Sequence, residues 1–306
     1  MTQLVNTGAD VGIGGEAHIP ASPFSAADPK LIRKNRRKAL VRALLEIGPV
    51  RALVDLGKPF PSYRKLLNIG APTWIKYRGV YLSFEEARAA MPRNIRLGYD
   101  HEEIAGIYEN YANVVLASDY PAILCLQEAL RRGSRVFDFG GNVGISFYAW
   151  QRYLNYPRDI QWVVCDLLSV IQRGERLAFQ RREKRVSFTT QFEDADGFDF
   201  LLMSGCLQYV EPRAHELLGR LKDLPQHIVV NRIPLHDSRE CVTLQNIQWM
   251  ASPYHVFHRE RFISEMQNLG YSLVDAWVDA QLDCWIPFYP EYSVSGYSGL
   301  YFRRII

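Results

Sequence analysis

The sequence predicts an α/β fold, doubly wound around a mostly parallel sheet and preceded by a helical extension. Three observations predict it. From residue 134 onward, strand-like apolar runs alternate with helix-length stretches. Strands such as FDFLLM (198–203) are near-continuously apolar rather than alternating, as expected of a sheet covered on both faces. A glycine turn, VFDFGGNVG (136–144), joins the first strand to its helix.

Residues 1–29 are rich in Gly, Ala, Ser and Pro, show no periodicity and read as a flexible tail. They lack the basic start and apolar centre of a signal peptide, and the longest apolar runs fall short of the roughly 20 residues a membrane helix needs, so a cytoplasmic location is expected. The five cysteines are scattered without a C-x-x-C pair, which argues against a disulfide framework or zinc knuckle and for small buried thiols.

The net charge of +3 conceals an asymmetry. Residues 30–65 hold 11 Lys and Arg against Glu46 and Asp55, leaving 25 basic and 31 acidic side chains elsewhere. Leu40, Leu44 and Ile47 recur there at helical spacing beside Arg33, Arg36, Arg37 and Arg42, so 30–70 is expected to form a basic amphipathic segment. It suits a solvated helix docked on the main domain, or peripheral contact with an anionic membrane. No basic groove interleaved with aromatics follows, which disfavours nucleic acid.

Residues 71–133 are expected to form a helical cap or lid: a short strand or loop with a helix capped by Ser83 and Glu86 (74–91), a helix at 98–116 opened by Asp100, and a third at 118–133. The domain proper, 134–306, contains seven candidate strands: 134–139, 160–166, 185–190, 198–205, 227–233, 271–279 and 298–304. Helical stretches at 145–154, 168–182 and 212–222 separate the earlier ones, while QFEDADG (191–197) is too short for a helix. A Pro- and Tyr-containing loop (280–297) joins the last two strands, which predicts an antiparallel end to the sheet.

The glycine turn discriminates among ligands. Phe139 occupies a position where G-x-G-x-x-G needs glycine, and no Lys follows Gly144 as a P-loop requires. What remains is Asp138 at a strand end, then Gly140, Gly141, Asn142 and Gly144 entering a helix. Such a turn suits a ligand bearing an amine and a carboxylate: backbone N–H groups meet the carboxylate, and Asp138 offsets the ammonium. The methionyl end of S-adenosylmethionine carries both groups. Asp166, 22 residues beyond Gly144 and followed by Leu167, is placed to accept ribose hydroxyls. Ser204, Gly205 and LQYV (207–210) follow the fourth strand and should face the same crevice. Each feature also has a plainer use: the glycines as a turn, Asp166 as a helix cap, Gln208 on a solvated face.

In their order and spacing, YRGVYLSFEEA (77–87), GYD (98–100), SDYPAI (118–123), VFDFGGNVG, LQYV, NRIPL (231–235), VTLQNI (242–247) and SPYHVFHRERF (252–262) resemble class I S-adenosylmethionine-dependent methyltransferases. More narrowly, they resemble a family of methyltransferases encoded among bacterial surface-polysaccharide biosynthesis genes. The resemblance implies a seven-stranded Rossmann-like sheet with its final strand inserted antiparallel, and a donor bound across Asp138, Gly140 to Gly144 and Asp166. It also implies O-methylation of a saccharide or saccharide precursor. Asn142 departs from the usual third glycine of the broad class.

Methyl transfer from a sulfonium requires alignment and a proton acceptor, and no metal. Acceptor-side candidates are Gln208, Tyr209, Arg232, Gln245 and Tyr254. His236, with Asp237 to hold its ring, is the first choice of general base and His255 the second. Arg232 suits an anionic acceptor or a structural acid. N- or carboxyl-O-methylation of a small natural product and a non-catalytic scaffold are the competing readings; oligomeric state is left open.

Overall fold

Continuous apolar strands need cover on both faces, and the chain provides it with helices on each side of one large sheet. A computed structural model describes residues 76–91, 96–97, 113–131, 133, 135–247 and 250–305, with isolated positions at 40, 42, 43 and 49. The chain divides into two compact units, Met1–Ala43 and Leu44–Ile306, and every element below belongs to the second. The expected tail, nearly all of the basic segment and the helix expected at 98–116, up to residue 112, lie outside the described residues.

The large sheet contains β3 (Arg135–Phe139), β4 (Gln161–Cys165), β5 (Val186–Thr189), β6 (Phe200–Ser204), β7 (His227–Ile233), β11 (Tyr271–Asp279) and β12 (Tyr297–Arg304). Its order is β11-β12-β7-β6-β3-β4-β5. The pairs from β5 to β7 are all parallel, whereas β12 runs antiparallel to both β7 and β11. This is the seven-stranded, Rossmann-like α/β arrangement with an inserted antiparallel strand that the sequence predicts. The order reverses between β3 and β6, which opens a crevice at the carboxyl ends of those strands.

Strand alternation sorts the core into two layers. Val136, Trp162, Val164, Leu202 and Val229 pack with α2 (Asp119–Ala129), α3 (Ile145–Trp150) and α4 (Leu168–Gln180). Phe137, Leu201, Met203 and Val230 face the opposite way, toward α5 (Ala214–Leu218) and α6 (Arg259–Asn268). On α4, Val170, Ile171, Gly174, Leu177 and Ala178 form the buried stripe. Gly174 is required because a Cβ there would collide with Phe188.

A second sheet is absent from the sequence reading. It joins β1 (Tyr77–Tyr81), β9 (Cys241–Ile247), β10 (Met250–His258) and β2 (Arg96–Leu97) in that order, with β8 (Leu235–His236) also on β10. The short strand or loop expected ahead of the Ser83-capped helix is β1, with Tyr77 opposite Gln245. In chain order, β8 to β10 and then α6 occupy the stretch between β7 and β11.

The helix α1 (Phe84–Ala89) is capped as expected, with Ser83 Oγ accepting from the Glu86 amide at 3.1 Å. The Glu86 carboxylate reaches back to the Leu82 amide, at 2.7 Å. The helix expected to run to residue 116 does not: 113–116 are non-helical. There Asp119 Oδ2 accepts from the Leu116 amide and the Asp119 amide donates to the Leu116 carbonyl, closing a turn that starts α2. The segment 191–197 forms a single 3₁₀ turn, Phe192–Ala195. All five cysteines are buried and free. Among the described residues, no helix is long and apolar enough to cross a membrane.

Candidate active site

The glycine turn forms the wall of the crevice. Alternation places Asp138 on the same side of β3 as Val136, facing Trp162 of β4, whose indole Nε1 donates to Asp138 Oδ2 at 3.2 Å. Asp138 is 1% exposed and its Oδ1 has no hydrogen-bond partner. Burial pushes its carboxyl up to about 7, only partly offset by the indole. A Cβ at Gly141 would collide with this carboxylate, so glycine is needed for the chain to pass over it. The carboxylate therefore lies beneath Gly141 rather than open to the crevice. Gly140, at φ 71°, packs against Cys206.

Asn142, where a third glycine was expected, also has positive φ, 56°. Asparagine tolerates that region because its short side chain bonds locally, and here Asn142 Oδ1 accepts from the Val143 amide at 2.9 Å. The Asn142 amide donates to Asp166 Oδ2 at 2.9 Å, while Asp166 Oδ1 accepts from the Leu167 amide at 2.8 Å. Asp166 thus ties the turn to the end of β4. Leu167 and Leu168 beside it are 43% and 57% exposed, an apolar shelf next to a polar one.

One expectation needs correction. The Asn142 amide is taken by Asp166, and those of Val143, Gly144 and Ile145 are used within the turn, the last two donating to the Gly141 carbonyl. A turn this tight satisfies its own donors, so a ligand carboxylate does not meet four free N–H groups at the start of α3.

Across the switch point lies a cluster built by an irregularity. Between β12 and β7 the register passes from Ser298↔Ile233 to Leu300↔Val230, so β7 holds an extra residue, a β-bulge at Asn231–Arg232. Arg232 takes the positive φ, 56°. Successive strand residues normally face opposite ways. Here both converge on Asp119: Asn231 Nδ2 donates to Asp119 Oδ1 at 3.4 Å and Arg232 Nη1 lies 3.8 Å from the same oxygen. Arg232 Nη2 donates to Ser204 Oγ at 2.9 Å, and Trp277 Nε1 donates to Asn231 Oδ1 at 3.1 Å. The indole crosses β12 over Gly299, where a Cβ would strike it. Burial raises the Asp119 carboxyl, and the Arg232 charge opposes the shift.

Other acceptor-side candidates form a separate network. Tyr209 OH donates to Gln245 Oε1 at 3.0 Å, Gln245 Nε2 donates to Tyr77 OH at 3.2 Å, and Tyr77 and Tyr297 share a 2.8 Å bond. Tyr254 OH donates to Tyr297 OH at 2.6 Å. Because Ser298 pairs with Ile233, Tyr297 stands at the carboxyl edge of β7, so this network joins the small sheet to the crevice end of the large one. Burial holds the Tyr77 hydroxyl up to about 12 and raises Tyr254 and Tyr297 well above their ordinary values. Gln208 is 3% exposed, not on a solvated face, and Nε2 donates to the Arg232 carbonyl at 3.5 Å. Gly205, at φ 72°, lies against Arg232.

The two histidines are engaged elsewhere. His236 Nδ1 accepts from the Ser238 and Arg239 amides, closing a turn, and burial lowers its basicity. Asp237 does not hold that ring: its Oδ1 accepts from Arg259 Nε at 2.6 Å, because α6 presents a permanent cation. His255 lies 3.1 Å from Glu240 Oε1 and stacks on Phe257, on the face of β10 opposite Tyr254. Glu240 also binds Arg213, which pairs with Glu265.

The sequence reading missed Asp119, Asn231, Trp277 and Tyr77 as site residues. SDYPAI and NRIPL contain two of them, but only register shows that Asn231 and Arg232 reach one carboxylate.

No family model matches the chain, and no curated protein does. Solved structures of similar fold include the 1,6-didemethyltoxoflavin-N1-methyltransferase of Burkholderia thailandensis with 1,6-didemethyltoxoflavin and S-adenosylhomocysteine bound, at 20% identity and TM-score 0.45 over 71% of this chain and 95% of that one. An O-methyltransferase family protein from Burkholderia thailandensis aligns at 12% identity and TM-score 0.43, over 67% of this chain and 60% of its own. Magnesium protoporphyrin IX methyltransferase from Synechocystis PCC 6803, with S-adenosylmethionine bound, aligns at 13% identity and TM-score 0.43, over 68% and 86%. At these scores the likeness is one of fold and transfers no substrate to this chain.

Proposed function

We propose that the protein is an S-adenosylmethionine-dependent methyltransferase that methylates an oxygen of a saccharide or saccharide precursor. One observation supports it above the others: a buried Asp138, with one oxygen unpartnered, lies under a glycine turn that Asp166 ties to the next strand. A carboxylate in that state is stabilised by a nearby positive charge, and the donor is a cationic nucleoside. Asp138 would act on it across the Gly141 backbone, Asp166 would accept from its ribose, and Leu167 would flank its base. Gly140 and Gly141 let the turn close onto Cys206 and Asp138 beneath the ligand position.

When bound, S-adenosylmethionine supplies an already activated methyl group. The protein's task is then to seat the acceptor in line and exclude water. Ser204, Gly205 and Arg232 border that position at the ends of β6 and β7, and the small sheet closes it through the tyrosine network. Neither histidine is given the proton-accepting role, since each already serves a turn or a carboxylate. The saccharide class rests on the sequence resemblance.

Titration calorimetry with S-adenosylmethionine and S-adenosylhomocysteine tests the donor site. Wild-type protein is expected to bind both, and Asp166→Ala to weaken binding at least tenfold, the loss of a bidentate hydrogen bond to a carboxylate being worth about 1.5–3 kcal/mol. Absence of binding, or undiminished binding by Asp166→Ala, would refute the assignment.

A further inference from the structure

The large sheet has two ends, and the crevice uses only one. At the other, two loops lie side by side: 151–160, leading from α3 into β4, and 181–185, leading from α4 into β5. Trp162 pairs with Val186 and its amide donates to the Arg185 carbonyl at 3.0 Å, which makes the loops neighbours. Arg181 lies over the Tyr148 ring, 4.4 Å from its centroid, and Arg185 over Phe147 at 5.6 Å. The surface so formed holds Arg152, Arg158, Arg181, Arg182, Lys184 and Arg185 against Asp159 and Glu183. Glu183 is held by Arg185, at 2.7 Å. Among the described residues, the other five cations are exposed and make no ion pair. Farther up α4 stand Arg173, Glu175 and Arg176, while the acidic groups of this sheet end, Asp196, Asp199 and Asp223, precede β6 and β7, on the far side of β3. Two aromatic rings project from the basic surface. Phe179, on the last turn of α4, is 86% exposed, and Tyr153, with Arg152 over its ring at 5.7 Å, is 44% exposed. Phe179 is not a displaced core residue, because α4 already buries Leu177 and Ala178 on its opposite side.

We propose that this end of the molecule docks on an anionic phospholipid surface, with Phe179 and Tyr153 entering the headgroup layer and the unpaired cations meeting the lipid charges. Cations flanking exposed aromatics are the chemistry of a peripheral membrane contact: the charges bring the protein to the surface, and the rings leave water when they arrive. The same charge does not make a nucleic-acid site, since a ring that stands so far clear of its neighbours forms no slot in which bases stack. The contact is distinct from the basic segment at 30–65 and does not depend on the methyl-transfer reading. It does orient the molecule. Along its 13 residues, about 20 Å, α4 runs from Leu168, beside Asp166, to Gln180, beside Phe179. A protein docked at Phe179 therefore turns its crevice toward water, and the crevice is filled from solution rather than from the bilayer.

The test is sedimentation of the full chain with vesicles of equimolar phosphatidylserine and phosphatidylcholine, against vesicles of phosphatidylcholine alone. Binding to the first and not the second is expected, with release by high salt. Phe179→Ser, which alters no charge, should weaken binding about fivefold, and Arg182→Gln with Lys184→Gln about thirtyfold, the combined attraction of two cations at such a surface. All these side chains are exposed, and residues 30–65 are common to every variant, so the differences report this surface alone. A second measurement places the contact. Because the five native cysteines are buried, an environment-sensitive fluorophore attached to Phe179→Cys should shift to the blue on the anionic vesicles. No binding, binding unchanged in both variants, equal binding to phosphatidylcholine alone, an unshifted fluorophore, or variant-sensitive binding to a DNA duplex in place of vesicles would overturn the proposal.

Discussion

Asp138 and Glu240 are both carboxylates withdrawn from bulk water, and the fold treats them in opposite ways. Asp138 has an indole for company and is pushed up to about 7 by its burial. Glu240 is also penalised by burial, yet His255 and Arg213 bring it down to about 2. The contrast separates two kinds of site. Glu240 belongs to a closed set, with Arg213, Glu265, His255 and Arg261, that ties the small sheet to α5 and α6. Asp138 belongs to an open one, in which Oδ1 has no hydrogen-bond partner.

The largest expected effect breaks the open site. Because the folded-state value of Asp138 lies above the ordinary carboxylate range, the folded protein holds a proton that the unfolded chain releases near pH 4. Its contribution to stability is therefore lost as pH rises from about 4 to about 7. Asp138→Asn has no such proton, so its stability relative to wild type should improve by on the order of 3 kcal/mol between pH 5 and pH 8, as urea denaturation at the two values would show. Next is Glu240→Ala, which strands Arg213 and His255. With 23% of the Glu240 side chain exposed, about 2 kcal/mol is expected, less than a fully buried pair loses. Thermal unfolding should show it with donor affinity unchanged. Smallest is Trp277→Phe, which removes one hydrogen bond to Asn231 for about 1 kcal/mol and should leave the Asp138 pH dependence intact.

How legible each region was follows from the range of its interactions. The large sheet announced itself because each strand is a local apolar run, and the antiparallel β12 because a Pro-containing loop cannot serve as a helical crossover. Asp138, Asn142 and Asp166 were legible by spacing, since a turn and the next strand end lie within 30 residues of sequence. The small sheet was not. Its β10 contains Pro253, which argues against a strand unless the N–H side is unpaired, and its pairing of Tyr77 with Gln245 leaves no local trace. Asp237 shows the opposite error: being next to His236 in sequence did not make it that ring's partner. The bulge at Asn231–Arg232 was beyond any reading of one strand, because it is a count of residues against β12.

The position of β12 also imposes a schedule. β7 and β11 are made first, but they share no hydrogen bonds; each pairs with β12, which enters between them. During vectorial synthesis the parallel strands from β3 to β7 can assemble while one edge of β7 stands bare, and that edge is closed only when residues 297–304 emerge. Ser298 and Tyr297 arrive with it, so the bulge acquires its reference strand and the tyrosine network its central hydroxyl in the same late event. A nascent chain halted short of Tyr297 should therefore hold a formed glycine turn but neither the bulge nor the complete tyrosine network, with a sticky strand edge for chaperones to guard.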